Sequence, residues 1–170
     1  MRLWRFALLS ALCFGFQGAL LAYLPLAATR ANLGAFVVGF AVATYVGIGV
    51  LFDSVIGRIV ARIGVRAAIL AGIALAGAGL GILAGPVGDA SLIAAAVLAG
   101  SAHAFQSSPI LSTLSLVITG SQVQGQCVNV MAQRGGALVG SLTLLVMGVS
   151  ADELRRVLWL LALWLVVFCA

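Results

Sequence analysis

The chain has 170 residues, of which 64% are hydrophobic and 8% charged, with a net charge of +5 and a mean hydropathy of +1.25. A soluble domain carries about a quarter charged residues, so this composition excludes a water-soluble globular protein and points to a membrane protein. The basic excess comes from nine arginines and no lysine; they fall between apolar runs, where they set orientation and meet anionic head groups, and the pattern does not favour nucleic acid.

Arg2 and Arg5 flank the start of a first span, Trp4 to Ala27, and Trp4 suits a membrane interface. A basic start followed by an apolar run has the outline of a signal peptide. The run continues to Leu26 without a clear cleavage site, which predicts a retained first helix. Pro25 marks where that helix can stop, and Thr29 to Asn32 is a turn. The second span runs from Leu33 to Gly57. In it Gly39, Ala43 and Gly47 recur every fourth residue and predict a smooth face for close helix contact.

Gly57 to Arg66 follows, carrying Arg58, Arg62 and Arg66 and no acid. A short basic run between two bilayer-length apolar segments predicts a cytoplasmic turn. The third span, Ala67 to Gly85, has Gly77, Gly81 and Gly85 on one face. Gly85 to Asp89 is a turn by composition. The fourth span, Ser91 to Ile118, is interrupted by Gln106-Ser107-Ser108-Pro109, and Pro109 predicts a kink. Thr119 to Gln126 is a polar, uncharged turn. The fifth span is Cys127 to Met147, with Arg134 inside it. A charged turn from Ser150 to Arg156 leads to a sixth span, Leu154 to Ala170, at the short limit for crossing a bilayer.

With the N-terminus inside, Arg2, Arg5, Arg58, Arg62 and Arg66 lie on the cytoplasmic side and Arg30, Arg155 and Arg156 outside. The sequence therefore predicts an all-α polytopic protein of the inner membrane, one membrane domain over residues 1–170, multi-pass, with a cytoplasmic N-terminus.

Cys13, Cys127 and Cys169 are isolated, and no C-x-x-C or His/Cys cluster occurs, so neither a metal site, a cofactor nor a disulfide framework is expected. No triad, P-loop or dinucleotide turn is present either, and the reading is not an enzyme. What remains is polar groups at membrane depth, which are costly there and so are candidates for function. Arg134 requires a carboxylate, water or a substrate anion, or else snorkels to head groups. Asp53, one turn before Gly57, either pairs with Arg58 or Arg62 or binds a proton. His103 titrates near neutrality and suits a proton relay or a packing hydrogen bond. Gln17, Tyr23, Gln106, Asn129 and Gln133 either line an aqueous cavity or join helices.

Gly57, Ile59, Arg62, Gly64 and Arg66 match the inner-loop motif G-x-L-A-D-R-x-G-R-R of the major facilitator superfamily, with Ala61 in the place of its aspartate and Val65 where a base is common. Gly136 and Gly140, followed by Ser141, resemble that family's fifth-helix pattern G-x-x-x-G-P, with serine for proline. The chain as a whole resembles the first six-helix half of such a transporter. Its fourth helix lacks the arginine usually found just ahead of a glycine, here Gly100, and no second half follows. The resemblance implies secondary active transport of a small solute by alternating access, with proton-coupled efflux as one mode. It also implies that the first and fourth helices line the central cavity, which favours Gln17 and Gln106. The implied partners are the lipid bilayer, an unknown small-molecule solute, and a second six-helix half or another copy of the chain. On this reading the end at Ala170 is that of a truncated chain or fragment. The rival readings are a non-transporting half or helix-packing subunit of a membrane complex and a homo-oligomeric channel, although the polar rings of a channel are missing.

Overall fold

The computed structural model describes residues 3–83, 85–117 and 122–147, together with Arg156 and Trp159. The predicted sixth span otherwise lies outside the described residues. Five helices follow one another: α1 (Leu3–Arg30), α2 (Ala35–Ile63), α3 (Val65–Leu83), α4 (Asp89–Val117) and α5 (Gln122–Met147). There is no strand among the described residues. Four segments are long and apolar enough to cross a membrane, Ala7–Arg30, Ala35–Ile63, Val65–Leu83 and Asp89–Ile110. Of the six predicted spans, those four are thereby supported by a helix of the right length and hydropathy.

Most of the helices overrun their predicted ends, and the reasons are local. α1 continues through Pro25 to Arg30. Proline has no N–H to donate to the preceding turn, yet its own carbonyl is engaged, since the Thr29 hydroxyl donates to it over 2.8 Å. The helix then stops at Asn32, whose φ of 54° reverses the chain. Leu33 N–H donates to Ala28 O over 3.0 Å and Asn32 N–H to Thr29 O over 3.1 Å, the paired bonds of a Schellman stop with asparagine in the left-handed position. α4 likewise passes Pro109 and remains one helix to Val117.

The predicted basic turn, Gly57 to Arg66, is a correction of the same kind. α2 extends to Ile63 and α3 starts at Val65, so the turn is the single residue Gly64. Its φ of 84° and ψ of 159° belong to a region that only glycine occupies without strain. Its N–H donates to Val60 O over 2.8 Å and its carbonyl accepts from Ala68 N–H over 3.1 Å, so it closes one helix and opens the next. Gly57, Arg58, Ile59 and Arg62 therefore lie on the last two turns of α2 and Arg66 on the first turn of α3, with all three arginines exposed.

α4 is the centre of the bundle. Its apolar residues surround the whole helix, and Leu92, Ala95, Ala96, Ala99, Ala102, Ala104 and Ile110 are all buried. Alanines keep α4 thin, which lets α2 and α3 pack against it and α1 approach it. Gly72 and Gly79 of α3 face α4: a Cβ at Gly72 would stand 2.8 Å from Gln106 Cγ, and one at Gly79 3.3 Å from Ala95 O. Gly100 of α4 lies against the Tyr45 carbonyl of α2. α2 runs parallel to α4, matching Tyr45 with Gly100 and Gly49 with His103, while α3 runs antiparallel. α1 and α5 form a separate parallel pair, with Gly136 against Ala11 and Gly140 against Gly15. Phe16, Leu20 and Leu24 of α1 fill the space toward the other helices. In a bilayer such packing, rather than escape from water, holds helices together.

Two predicted glycine faces are not used as expected. Nothing lies within 4 Å of a Cβ built at Gly39 or Gly47 of α2. On α3, Gly81 is equally open and Gly85 lies beyond the helix, while Gly77 meets Trp159 at 3.4 Å. Of the three buried glycines of α3, Gly72 and Gly79 lie on the side turned to α4, where Ala76 and Leu80 are buried too.

Candidate functional site

The largest polar junction among the described residues joins three helices inside a mostly apolar bundle. Gln17 of α1 and Gln106 of α4 are both buried, and Gln17 Nε2 donates to Gln106 Oε1 over 2.9 Å. The Tyr45 hydroxyl of α2 donates to Gln17 Oε1 over 3.1 Å. One glutamine thus joins three helices and has both ends of its amide engaged, as a buried amide in hydrocarbon requires. Gly72 makes the geometry possible, because α3 carries no side chain where Gln106 passes.

His103 lies one turn before Gln106 on α4. Its ring meets Phe14 edge to face, with centroids 5.5 Å apart, and lies 6.1 Å from the Tyr45 ring. Its Nδ1 is buried without a hydrogen-bond partner among the described residues, as are Gln106 Nε2 and Gln133 Nε2.

These groups border a cleft of about 370 Å³ between α1, α2, α4 and α5. Phe14, Gln17, Gly18 and Leu21 form one stripe of α1, at the spacing that puts residues on a single helix face. Tyr45, His103, Gln133, Arg134 and Ala137 complete the lining. The volume lies within the range of small-molecule pockets. Polar groups converge on it from four helices, and apolar walls separate them.

Arg134 is exposed at the mouth of the cleft. Because α5 begins at Gln122, five residues earlier than predicted, Arg134 stands twelve residues into the helix, about 18 Å at 1.5 Å per residue. It is therefore near the middle of α5, deeper than the sequence suggested. It makes no ion pair with any described residue.

Of the five candidate residues, Gln17, His103 and Arg134 meet at the cleft, and Gln106 adjoins it through Gln17. Asp53 is apart. It is exposed in α2, ten residues before the helix ends at Ile63, and pairs with neither Arg58 nor Arg62; it accepts a long hydrogen bond, 3.4 Å, from the Ser107 hydroxyl of α4. The expected lock between Asp53 and the arginines is therefore replaced by a tie to α4, because Asp53 continues the stripe Tyr45, Gly49, Asp53 that faces that helix. Asn129 forms a second junction, accepting from the Ser10 hydroxyl over 2.9 Å, and Tyr23 is buried in the core. Gly136 and Gly140 act at the α1–α5 seam. Gly57, Ile59, Arg62, Gly64 and Arg66 lie together at the α2–α3 turn.

Sequence reasoning missed Tyr45. The signal was available: it is one turn before Gly49 and two before Asp53, and no other polar ring occurs in α2. Compared with known protein families, with curated proteins and with solved structures, the chain finds no match.

Proposed function

We propose that the chain is, or is part of, a secondary active transporter of the major facilitator kind, moving a small solute by alternating access, with proton-coupled efflux as one mode open to it. The observation that carries this reading is the cleft: a ligand-sized space between four helices of a mostly apolar bundle, with polar groups reaching it from each of the four. The glycine at the α2–α3 turn with its three exposed arginines, and the paired glycines of α5, are compatible with the two motifs that suggested the family. On this reading the protein resides in the inner membrane with the N-terminus and the Arg58–Arg66 turn in the cytoplasm. The solute pathway lies between this bundle and a second one, either another copy or a separate six-helix half.

A second reading, a helix-packing subunit without transport, draws support from α2. Phe36 is 83% exposed, Val50 67% and Leu51 66%, so this helix offers an apolar surface to lipid or to a neighbour. Flux separates the two readings. The purified chain is reconstituted at densities giving monomers and assemblies, as fixed by mass measurement, and proton-linked flux of a panel of small solutes is followed with an internal pH dye. The transporter reading expects saturable flux from assemblies and none from monomers. Assemblies that carry no solute of the panel favour the packing subunit, and saturable flux from verified monomers would show a self-contained carrier.

A further inference from the structure

The chemistry of the cleft is one-sided. Among the described residues its one permanent charge is the Arg134 guanidinium, and no carboxylate lines it. Gln17 is already engaged at both ends, by Gln106 and by Tyr45. What remains unpaired is donor capacity: the guanidinium itself and the buried Gln133 Nε2 next to it in sequence, with His103 Nδ1 across the cleft donating or accepting according to its tautomer. An arginine half-way along α5 is satisfied by a counter-charge, by water or by a head group. A ligand matched to this lining brings acceptors and one negative charge. Phe14 and Leu21 offer it apolar walls, and about 370 Å³ admits a compact body rather than a long chain.

We infer that the cleft binds a small monoanionic organic solute, a carboxylate on a compact apolar body, with Arg134 as its charge partner and Gln133 as a second donor. That this solute is the one carried rests on the transporter reading; that it binds does not. Guanidinium and carboxylate pair through two parallel hydrogen bonds, which distinguishes a carboxylate from a neutral amide of the same shape. A cation would meet Arg134 with no acid among the described lining residues to offset the repulsion.

Three probes of one shape test this: benzoate, benzamide and benzylamine, titrated by ligand-detected magnetic resonance against the whole chain in phosphatidylcholine nanodiscs. Benzoate is expected to bind, benzamide about tenfold or more weakly than it, and benzylamine not at all. Arg134→Gln should bring benzoate down to the level of benzamide, Arg134→Lys should keep part of the preference, and Gln133→Leu should weaken benzoate several-fold. Because Arg134 is exposed, its variants should keep the parent melting profile, and that profile is measured alongside. Equal binding of benzoate and benzamide, or benzoate binding unaffected by a folded Arg134→Gln protein, would overturn the assignment. So would displacement of benzoate when phosphatidylglycerol replaces part of the phosphatidylcholine, since the guanidinium would then hold a lipid head group. The transporter reading fails separately. Benzoate binding that depends on Arg134, in assemblies without flux, supports the anion site and removes transport. Flux of neutral solutes without benzoate binding supports transport and removes the anion site.

Discussion

On α5, Gly136 and Gly140 stand one turn apart against the backbone of Ala11 and Gly15, with carbonyl oxygens where a Cβ would go. On α2, Gly39, Ala43 and Gly47 carry the same spacing, and nothing lies within 4 Å of a Cβ built on either glycine. The two stripes are equivalent in sequence and opposite in use. A smooth stripe permits a close approach but does not command one, because the partner must be smooth as well. α1 offers α5 such a surface in Ala11, Gly15 and Gly18. α2 instead turns toward α4 the side that carries Tyr45, Gly49 and Asp53. A tyrosine hydroxyl left in hydrocarbon without an acceptor costs more than a loosely packed glycine face, so the polar ring decides which face goes inward. Gly39 and Gly47 are left outside, among Phe36, Phe40, Val46 and Val50.

The largest effect should come from filling the seam. Gly140→Val places a branched side chain on the Gly15 carbonyl, and neither backbone can yield without separating α1 from α5. Overpacking of this kind costs about 3 kcal/mol or more, and the folded peak in detergent size-exclusion chromatography should largely disappear. Gly47→Val, the matching change on α2, should leave that peak in place. If both variants behave alike, the seam is not the tight contact described here, and the comparison between the two helices fails.

Much of this arrangement could be read from the chain, and the errors share a cause. Apolar runs located all five described helices, and the basic run from Gly57 to Arg66 located the break between α2 and α3, which the structure narrows to Gly64. Helix ends were misplaced wherever a polar or breaking residue lay in a helix that continued. Pro25, Pro109 and the arginines at 58 and 62 are compatible with helix once the backbone bonds around them are otherwise satisfied. Of the candidate site, Gln17 and Gln106 were favoured as cavity-lining residues on the family resemblance alone; in the structure they hydrogen-bond to each other, and Gln17 but not Gln106 is among the residues that line the cleft. The glycines were ambiguous for a different reason. Spacing reports which residues share a helix face, whereas the choice of neighbour depends on what every other helix presents, and that is a property of the assembled bundle.

A smaller effect is expected at the polar junction, and it tests the claim that hydrogen bonding oriented α2. Gln17→Leu removes the acceptor of the Tyr45 hydroxyl and the donor to Gln106 at once, leaving two buried polar groups without their partner. The expected loss is about 1–2 kcal/mol in thermal or denaturant unfolding, nearer the lower figure if the membrane-unfolded chain finds other partners. Adding Gln106→Leu should cost less than its effect alone, because the orphaned amide is removed together with its need for a partner. Strict additivity would show that the two glutamines are not coupled, and Tyr45 would then need another reason to face inward.

The smallest effect should fall on the open stripe of α2, and its sign is what matters. Gly47→Ala adds a methyl group where no atom lies within 4 Å. The change removes conformational freedom from the unfolded chain and places a better helix former in a helix interior, worth about 0.5–1 kcal/mol of stabilisation. The same substitution at Gly140 meets the Gly15 carbonyl and should destabilise. A Gly→Ala pair thus raises the melting temperature on α2 and lowers it on α5, measured on the purified chain in one detergent. Since the gain at Gly47 comes from the backbone alone, Gly39→Ala should add to it nearly independently, the two sites sharing no contact. A fall in melting temperature for Gly47→Ala in detergent would mean that the stripe is already in contact with something the bundle itself supplies, and the contrast between the two helices would lose its second half.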